Sequence, residues 1–393
     1  MKTQIEAFLH VRQERFKSLM RKKGIDAAIL VKPENVFYFS NFNPVLNSHP
    51  VFMLIPLEGE PCLLVHSIRY LHAQEEGGIR SIYCYGKWGN TPSLAPEANE
   101  AIHELLGEVE GAIGFEMESI SVELYSGLLN TLHARSSVSV SRDISLLKMV
   151  KDEYEIGCIR RAARLVDCGV ETAIRFLREG MSEAQASTEA QYSMRKLWHK
   201  EYPEFEVCGF GNSEGGMIDS LNVWSLSNEH IAYGCDCPRH YIPADGDISL
   251  PMAWAKLGGY HAENERTVLV GSVSGIRRKA YDAMLEARAA IFDILRPGIL
   301  FEELYFAAAN VFSSHGFLDI LPGRVGHGIG NSAHEFPSLA RGNKLELAPG
   351  MAITVEPGLM DKNWGGARHS DSVLITETGY EILTQLDAGY LQI

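Results

Sequence analysis

The sequence predicts a two-domain protein whose N-terminal half is an α/β domain. Three observations carry this. A chain of 393 residues exceeds what a single core usually serves. Short apolar runs punctuated by Pro, Gly or Asn read as buried strands. Helical patterns alternate with them. In order, charged residues spaced between apolar ones predict a helix from Ile5 to Lys23, stopped by Gly24. The runs 27–31, 51–55 and 62–65 predict strands, 99–106 a helix and 112–115 a further strand. A Ser-rich stretch, 136–141, then leads to the run 148–156. In the second domain, 178–183 and 296–302 each end one helical pattern at Gly and start another with acidic residues, a faint internal repeat.

Composition narrows the function. An apolar content of 46% with 22% charged residues is that of a soluble globular protein. A net charge of -14 argues against nucleic acid, which needs a basic face. The acidic, weakly apolar N-terminus is not expected to be a signal peptide, and no run approaches the roughly 20 apolar residues of a membrane span. A cytoplasmic protein is expected. Seven scattered cysteines, an odd number, favour reduced thiols. Cys235, Cys237 and His240 are zinc-type ligands, but no second pair stands nearby, so a plain loop is expected there.

Several motifs together carry a family resemblance: 251–267 (PMAWAKLGGYHAENERT), Gly326-His327-Gly328-Ile329-Gly330, His334-Glu335 and Val355-Glu356-Pro357-Gly358. This set resembles the family of aminopeptidase P, prolidase and creatinase. The resemblance implies an α+β pita-bread C-terminal domain with pseudo-symmetric halves, which agrees with the repeat, behind a creatinase-like N-terminal α/β domain. The run 148–156 resembles the family's connection between the two, which places the boundary near residues 147–152 and gives domains 1–150 and 151–393. It also implies a ligand set for two divalent metals, in which Met252 stands for the first Asp, Glu263 for the second, His327 for the His, Glu356 for one Glu and Ser370 for the other. A thioether and a hydroxyl do not replace carboxylates for hard cations. The metal pair is therefore expected to be lost and no cofactor is expected. Pro251-Met252 and Glu265-Arg266-Thr267 resemble creatinase, the metal-free hydrolase of the fold.

The residues themselves point to a site. On a strand, His261, Glu263 and Glu265 share a face, and acids there need partners or a function. His327 lies among glycines that permit close backbone approach. Glu356 ends a β-rich run. The resemblance places a catalytic imidazole before Gly246-Asp247, which leaves His230 and His240 as alternatives, with His230 taken. The catalytic candidates are thus His230, Glu265, Glu356, His327 and His334. Repulsion between Glu265 and Glu356 would keep a proton available, and His230 could carry it to a leaving nitrogen.

Creatinase holds its substrate's carboxylate with two arginines, whose positions fall on His49 and Ser338. The family's N-terminal loop reaches the partner subunit's pocket, so the resemblance implies a homodimer with His49 near the substrate. The other substrate-binding candidates are His261, Glu263, Met252 and Trp224. Trp224 and Trp88 could meet a cationic group through their rings, although plain packing is the commoner use. The leading expectation is a metal-independent, creatinase-like hydrolase cleaving a C–N bond in a small guanidino, amidine or betaine-like compound. The alternatives are an Xaa-Pro peptidase with one metal at Glu263, His327 and Glu356, and a non-catalytic pita-bread binding protein.

Overall fold

The computed structural model describes residues 2–213, 219–234 and 236–393. The chain divides into two compact units, Met1–Lys148 with Gly209–Ile218, and Met149–Cys208 with Asp219–Ile393.

The first unit carries α1 (Lys2–Lys23), β1 (Ile25–Leu30), α2 (Pro33–Ser40), β2 (Phe52–Pro56), β3 (Cys62–His66), α3 (Tyr70–Glu76), β4 (Ile82–Tyr85), α4 (Ala98–Leu106), β5 (Ala112–Phe115), α5 (Val122–Leu132), β6 (Ser136–Ser139) and α6 (Ser141–Lys148). The strands form one mixed sheet in the order β4-β3-β2-β1-β5-β6. Strand alternation sends Ala28 and Leu30 into one apolar cluster with Phe16 and Phe39, and Ala27 and Ile29 into another with Phe52 and Phe115. Both faces of β1 from Ala27 onward are thereby covered, which is why residues 27–31 read as an unbroken apolar run.

The second unit begins with α7 (Glu153–Arg178), started by a reciprocal cap: Glu155 N donates to Asp152 Oδ1, and Asp152 N donates to Glu155 Oε2, each at 3.0 Å. Then follow α8 (Glu183–Glu201), β7 (Leu221–Ser227), β8 (Ile248–Leu257), β9 (Tyr260–Arg266), β10 (Val268–Leu269), α9 (Gly275–Ile294), α10 (Phe301–Ser314), β11 (Arg324–Gly328), β12 (Glu335–Ala340), β13 (Ala352–Val355), β14 (Gly358–Asp361), β15 (Gly365–Ile375) and β16 (Tyr380–Ile382). The main path of the sheet is β10-β8-β9-β15-β13-β11-β12, with β7 on β8 and both β14 and β16 on β15. The helix pairs α7–α8 and α9–α10 turn at Gly180 and Gly298, both in the left-handed region that suits glycine. The first pair packs on β7–β9 and the second on β11, β12 and β15, so the repeat seen in sequence is a repeat of structure. This is the two-domain architecture expected, with a pita-bread C-terminal domain.

Each sheet strand of this unit has two sides with different duties. Asn264 donates to Asp167 of α7 at 2.6 Å, and Asp371 accepts from Arg288 of α9 at 2.7 Å, so these alternate residues face the helices. Glu263, Glu265 and Ser370 therefore project from the opposite face. The described cysteines carry free thiols. Among the described residues, no helix is long and apolar enough to cross a membrane.

Candidate metal centre

Strand register assembles the first half of the site. Trp224 on β7 pairs with Met252 on β8, Met252 with Glu265 on β9, and Glu265 with Ser370 on β15. These four side chains stand abreast on one face of the sheet. Period two adds Glu263 and Arg368 to that face. Glu263 is buried, its Oε1 accepting from Ser370 Oγ at 2.6 Å and its Oε2 from Trp254 Nε1 at 3.2 Å.

The second half comes from β11 and the end of β13. Glu356 follows β13 directly, and its N–H donates to Val325 O at 2.9 Å, which seats it beside His327. Gly326 permits this: a Cβ there would meet Thr354 O at 2.2 Å. The glycines around His327 thus serve a close approach of strand to strand. His327 Nδ1 lies 2.9 Å from Gly328 O, and since a carbonyl only accepts, Nδ1 carries the proton. Nε2 is then a lone pair. It is buried without a hydrogen-bond partner, 3.7 Å from Glu263 Oε2 and 3.5 Å from Glu356 Oε1. An imidazole lone pair without a donor thus faces two carboxylates, an arrangement suited to a cation. Two overlapping groups have ligand atoms all within 4.8 Å of one another: Glu263, His327 and His334, and Glu263, Glu265 and Glu356.

The electrostatics follow from burial and crowding. Burial, then the charge of Glu265, raises Glu263 to about 7. Burial also raises Glu265, with Glu356 adding to it and Arg368 opposing, and burial raises Glu356 despite the nearby His327. Burial lowers His327, consistent with a neutral ring. The His334 ring lies tilted against that of His327 with centroids 4.4 Å apart, and burial, then that neighbour, lowers it to about 4.

Arg368 is a residue of the centre that the sequence motifs did not single out. Its Nη2 donates to Glu265 Oε1 at 2.8 Å, its Nε to Glu265 Oε2, and Nη2 also lies 3.4 Å from Met252 Sδ. The signal was available, since Arg368 lies two residues from Ser370 and so shares its strand face. Ser370, which the motif reading took only as a lost ligand, and Trp254, which it did not single out, are the hydrogen-bond partners of Glu263.

The other candidates fall in several places. His261 sits at the edge of the cluster, its ring and its N–H both close to Gly330 O, and burial, then Lys256, lowers it to about 3. Met252 and Trp224 stand in the transverse row, but Trp224 packs edge-on against Trp254 with centroids 5.2 Å apart. His230 is held elsewhere, its Nε2 2.9 Å from Asp236 Oδ2 and its Nδ1 3.4 Å from Glu183 Oε2. The pocket it lines contains Ser227, Asn228, Tyr233, Arg239 and Tyr241 and none of the clustered glutamates, so the structure does not bring His230 to Glu265 and Glu356. His240 and Cys237 are exposed, and Cys235 lies outside the described residues. His49 belongs to the first unit, stacked on His66 at 4.2 Å, and Trp88 is an exposed ring of that unit.

Residues 157–377 match metallopeptidase family M24, and residues 12–150 match the creatinase/prolidase N-terminal domain. The first match alone spans more than half of the chain, and the chain belongs to the M24 family. It is 28% identical over 386 residues to the Xaa-Pro dipeptidase of Pyrococcus furiosus, covering 97% of this chain and 99% of that one. The prolidase of Pyrococcus horikoshii superposes with a TM-score of 0.81 at 25% identity, over 97% of this chain and 99% of that one. The Xaa-Pro dipeptidase of Bacillus anthracis shares the fold, with a TM-score of 0.82 at 24% identity, over 98% of this chain and 100% of that one. The chain is thus a hydrolase of a peptidase family.

These findings overturn the expectation of a metal-independent, creatinase-like enzyme. The relatives are Xaa-Pro dipeptidases and prolidases, and the centre keeps ligand groups within reach of one another. The inference from Met252 and Ser370 went too far for a physical reason. Those positions remove part of a ligand set, while Glu263, His327 and Glu356 still converge from three different strands' ends and edges.

Proposed function

We propose that this protein is an Xaa-Pro dipeptidase-type metallohydrolase with a remodelled centre holding one divalent ion. Residues 151–393 form its catalytic domain and 1–150 its creatinase-like N-terminal domain. The observation that carries the reading is the partnerless Nε2 lone pair of His327 facing Glu263 and Glu356. One nitrogen and two carboxylates make a three-ligand set with room left for substrate, the pattern of catalytic sites. Such an ion supplies Lewis-acid polarisation of a scissile carbonyl.

The chain's own residues do the rest. Glu263 is oriented by Ser370 Oγ and Trp254 Nε1. His327 is fixed in one tautomer by Gly328 O, as second-shell contacts commonly do for ligating imidazoles. His334 is neutral at pH 7 and offers a ring nitrogen at the rim of the cluster, within reach of the same ion as Glu263 and His327.

The test is hydrolysis of Xaa-Pro dipeptides by purified protein, read as released proline, before and after chelation. Loss of activity with EDTA and its return on adding Mn(II) or Co(II) is expected. Undiminished turnover by protein shown by elemental analysis to be metal-free would overturn the reading.

A further inference from the structure

We infer that Arg324 is a specificity residue: it holds the free carboxylate of the substrate and selects dipeptides over longer chains. The inference rests on the Xaa-Pro reading above and deepens it by naming the group that recognises a dipeptide's end.

The backbone brings Arg324 to the centre by a local device. Arg324 opens β11, three residues before His327, and regular alternation would send the two side chains to opposite faces. A bulge brings them together. Arg324 pairs with Ala340 and His327 with Ser338, so Val325 and Gly326 stand against the single residue Leu339. Residues paired across strands share a face, and Ser338 and Ala340 share one because they are two apart. Arg324 and His327 therefore project to the same side, while Val325 and Leu339 enter the apolar core. Bulges beside active sites commonly serve to re-aim a side chain.

The guanidinium stands at the mouth of the centre with its donors unengaged. Its side chain is 41% exposed against 9% for Glu356, so it lies outward of that carboxylate, with Nε 3.7 Å from Glu356 Oε1. That is too long for a hydrogen bond. Among the described residues, the Arg324 guanidinium donates no hydrogen bond. Its charge reaches the rings of both His327 and His334. Arg368, the other guanidinium of the centre, has its Nε and Nη2 engaged by Glu265.

The chemistry of a dipeptide calls for such a group. Its terminal carboxylate carbon lies three bonds from the scissile carbonyl carbon, a span of no more than about 4 Å. In a longer peptide a neutral amide takes that place. Glu263, Glu265 and Glu356 repel a carboxylate so close to them, and a cation at the mouth offsets the repulsion. A guanidinium also takes a carboxylate through two parallel N–H···O bonds, which fixes the orientation of the substrate as well as its charge.

The experiment compares the wild type, Arg324→Met and Arg324→Lys, each loaded with Mn(II), on Ala-Pro and on Ala-Pro amide. Binding of the product L-proline and of L-prolinamide is measured calorimetrically alongside. The wild type is expected to favour the free acid, and in Arg324→Met the acid-to-amide ratio of kcat/KM should fall roughly 10–100-fold. The proline-to-prolinamide affinity ratio should fall with it. Arg324→Lys should restore part of both ratios, since it keeps the charge without the planar fork. Arg324→Gln replaces the methionine variant if that one does not fold, with the same expectation. Equal losses on acid and amide, as a merely structural role would give, or no loss on either, would overturn the inference and leave the Xaa-Pro reading standing. No turnover of either substrate by the metal-loaded wild type would overturn both.

Discussion

Replacing Asp371 with Asn tests whether the ion network behind the centre holds the site strands together. Asp371 projects toward the helices and has no exposed side-chain area; its Oδ1 accepts from Arg266 Nη2 and its Oδ2 from Arg288 Nε, each at 2.7 Å. Arg266 is also buried and spends its remaining donors on the backbone oxygens of Glu265, Ser370, Leu386 and Asp387 at 2.9, 2.8, 3.0 and 3.1 Å. Two of those carbonyls belong to residues whose side chains face the centre, so this network and the site share a backbone. Asn keeps the shape and one acceptor but removes the charge that two guanidinia share. Leaving a buried charge without its partner costs about 3–5 kcal/mol. Arg288 is partly exposed, at 19%, and can turn to solvent, which places the expected loss at about 3 kcal/mol. For a domain of this size that lowers Tm by roughly 6–12 °C.

The assay is thermal unfolding of chelated protein at pH 7, so that ligand linkage does not mask the change. A second arm varies pH. Burial pushes the Asp371 carboxyl up, but Arg266 and Arg288 hold it below the usual range. A folded value below the unfolded one gives stability that is present above about pH 4 and lost as pH falls through the folded value. The gap between wild type and variant should therefore close in acid. A variant melting within about 2 °C of the wild type, or a gap that persists unchanged in acid, would refute the reasoning.

Three other outcomes are expected. Glu356→Gln should fold normally yet turn over at least about 10²-fold more slowly, since it keeps shape and removes charge; full activity in that variant would remove Glu356 from the site. Metal affinity should rise with pH until about 7 and then level off, because Glu263 is raised to about 7 and a proton competes with the ion below that value; calorimetry showing flat affinity from pH 5 to 8 would count against Glu263 as a ligand. Sedimentation at micromolar concentration should give a dimer, as the family resemblance of the loop 43–49 implies, and a monomer would sink that expectation.

The sequence alone determined four strands of the first sheet, β1, β2, β3 and β5, and the sidedness of β9, because both depend on short-range periodicity. By contrast, β4 and the Ser-rich β6 carry too weak an apolar pattern to be read. The run 27–31 is apolar throughout because both faces of its strand are covered, and Glu263 and Glu265 share a face because strand side chains alternate. Motif resemblance likewise marked His327 and Glu356 as members of one centre. Tertiary structure decided what these residues face. Met252, Glu265 and Ser370 are far apart in sequence and abreast in space, since strand register is set by sheet pairing and no local pattern encodes it. The same pairing put Arg368 against Glu265 and Met252, contacts that no local pattern encodes. His230 shows the converse: its motif position suggested the centre, but Glu183 at the start of α8 and the nearby Asp236 hold its ring elsewhere. A lone imidazole is placed by whichever buried partners satisfy its nitrogens, and those partners are known only once the chain is folded.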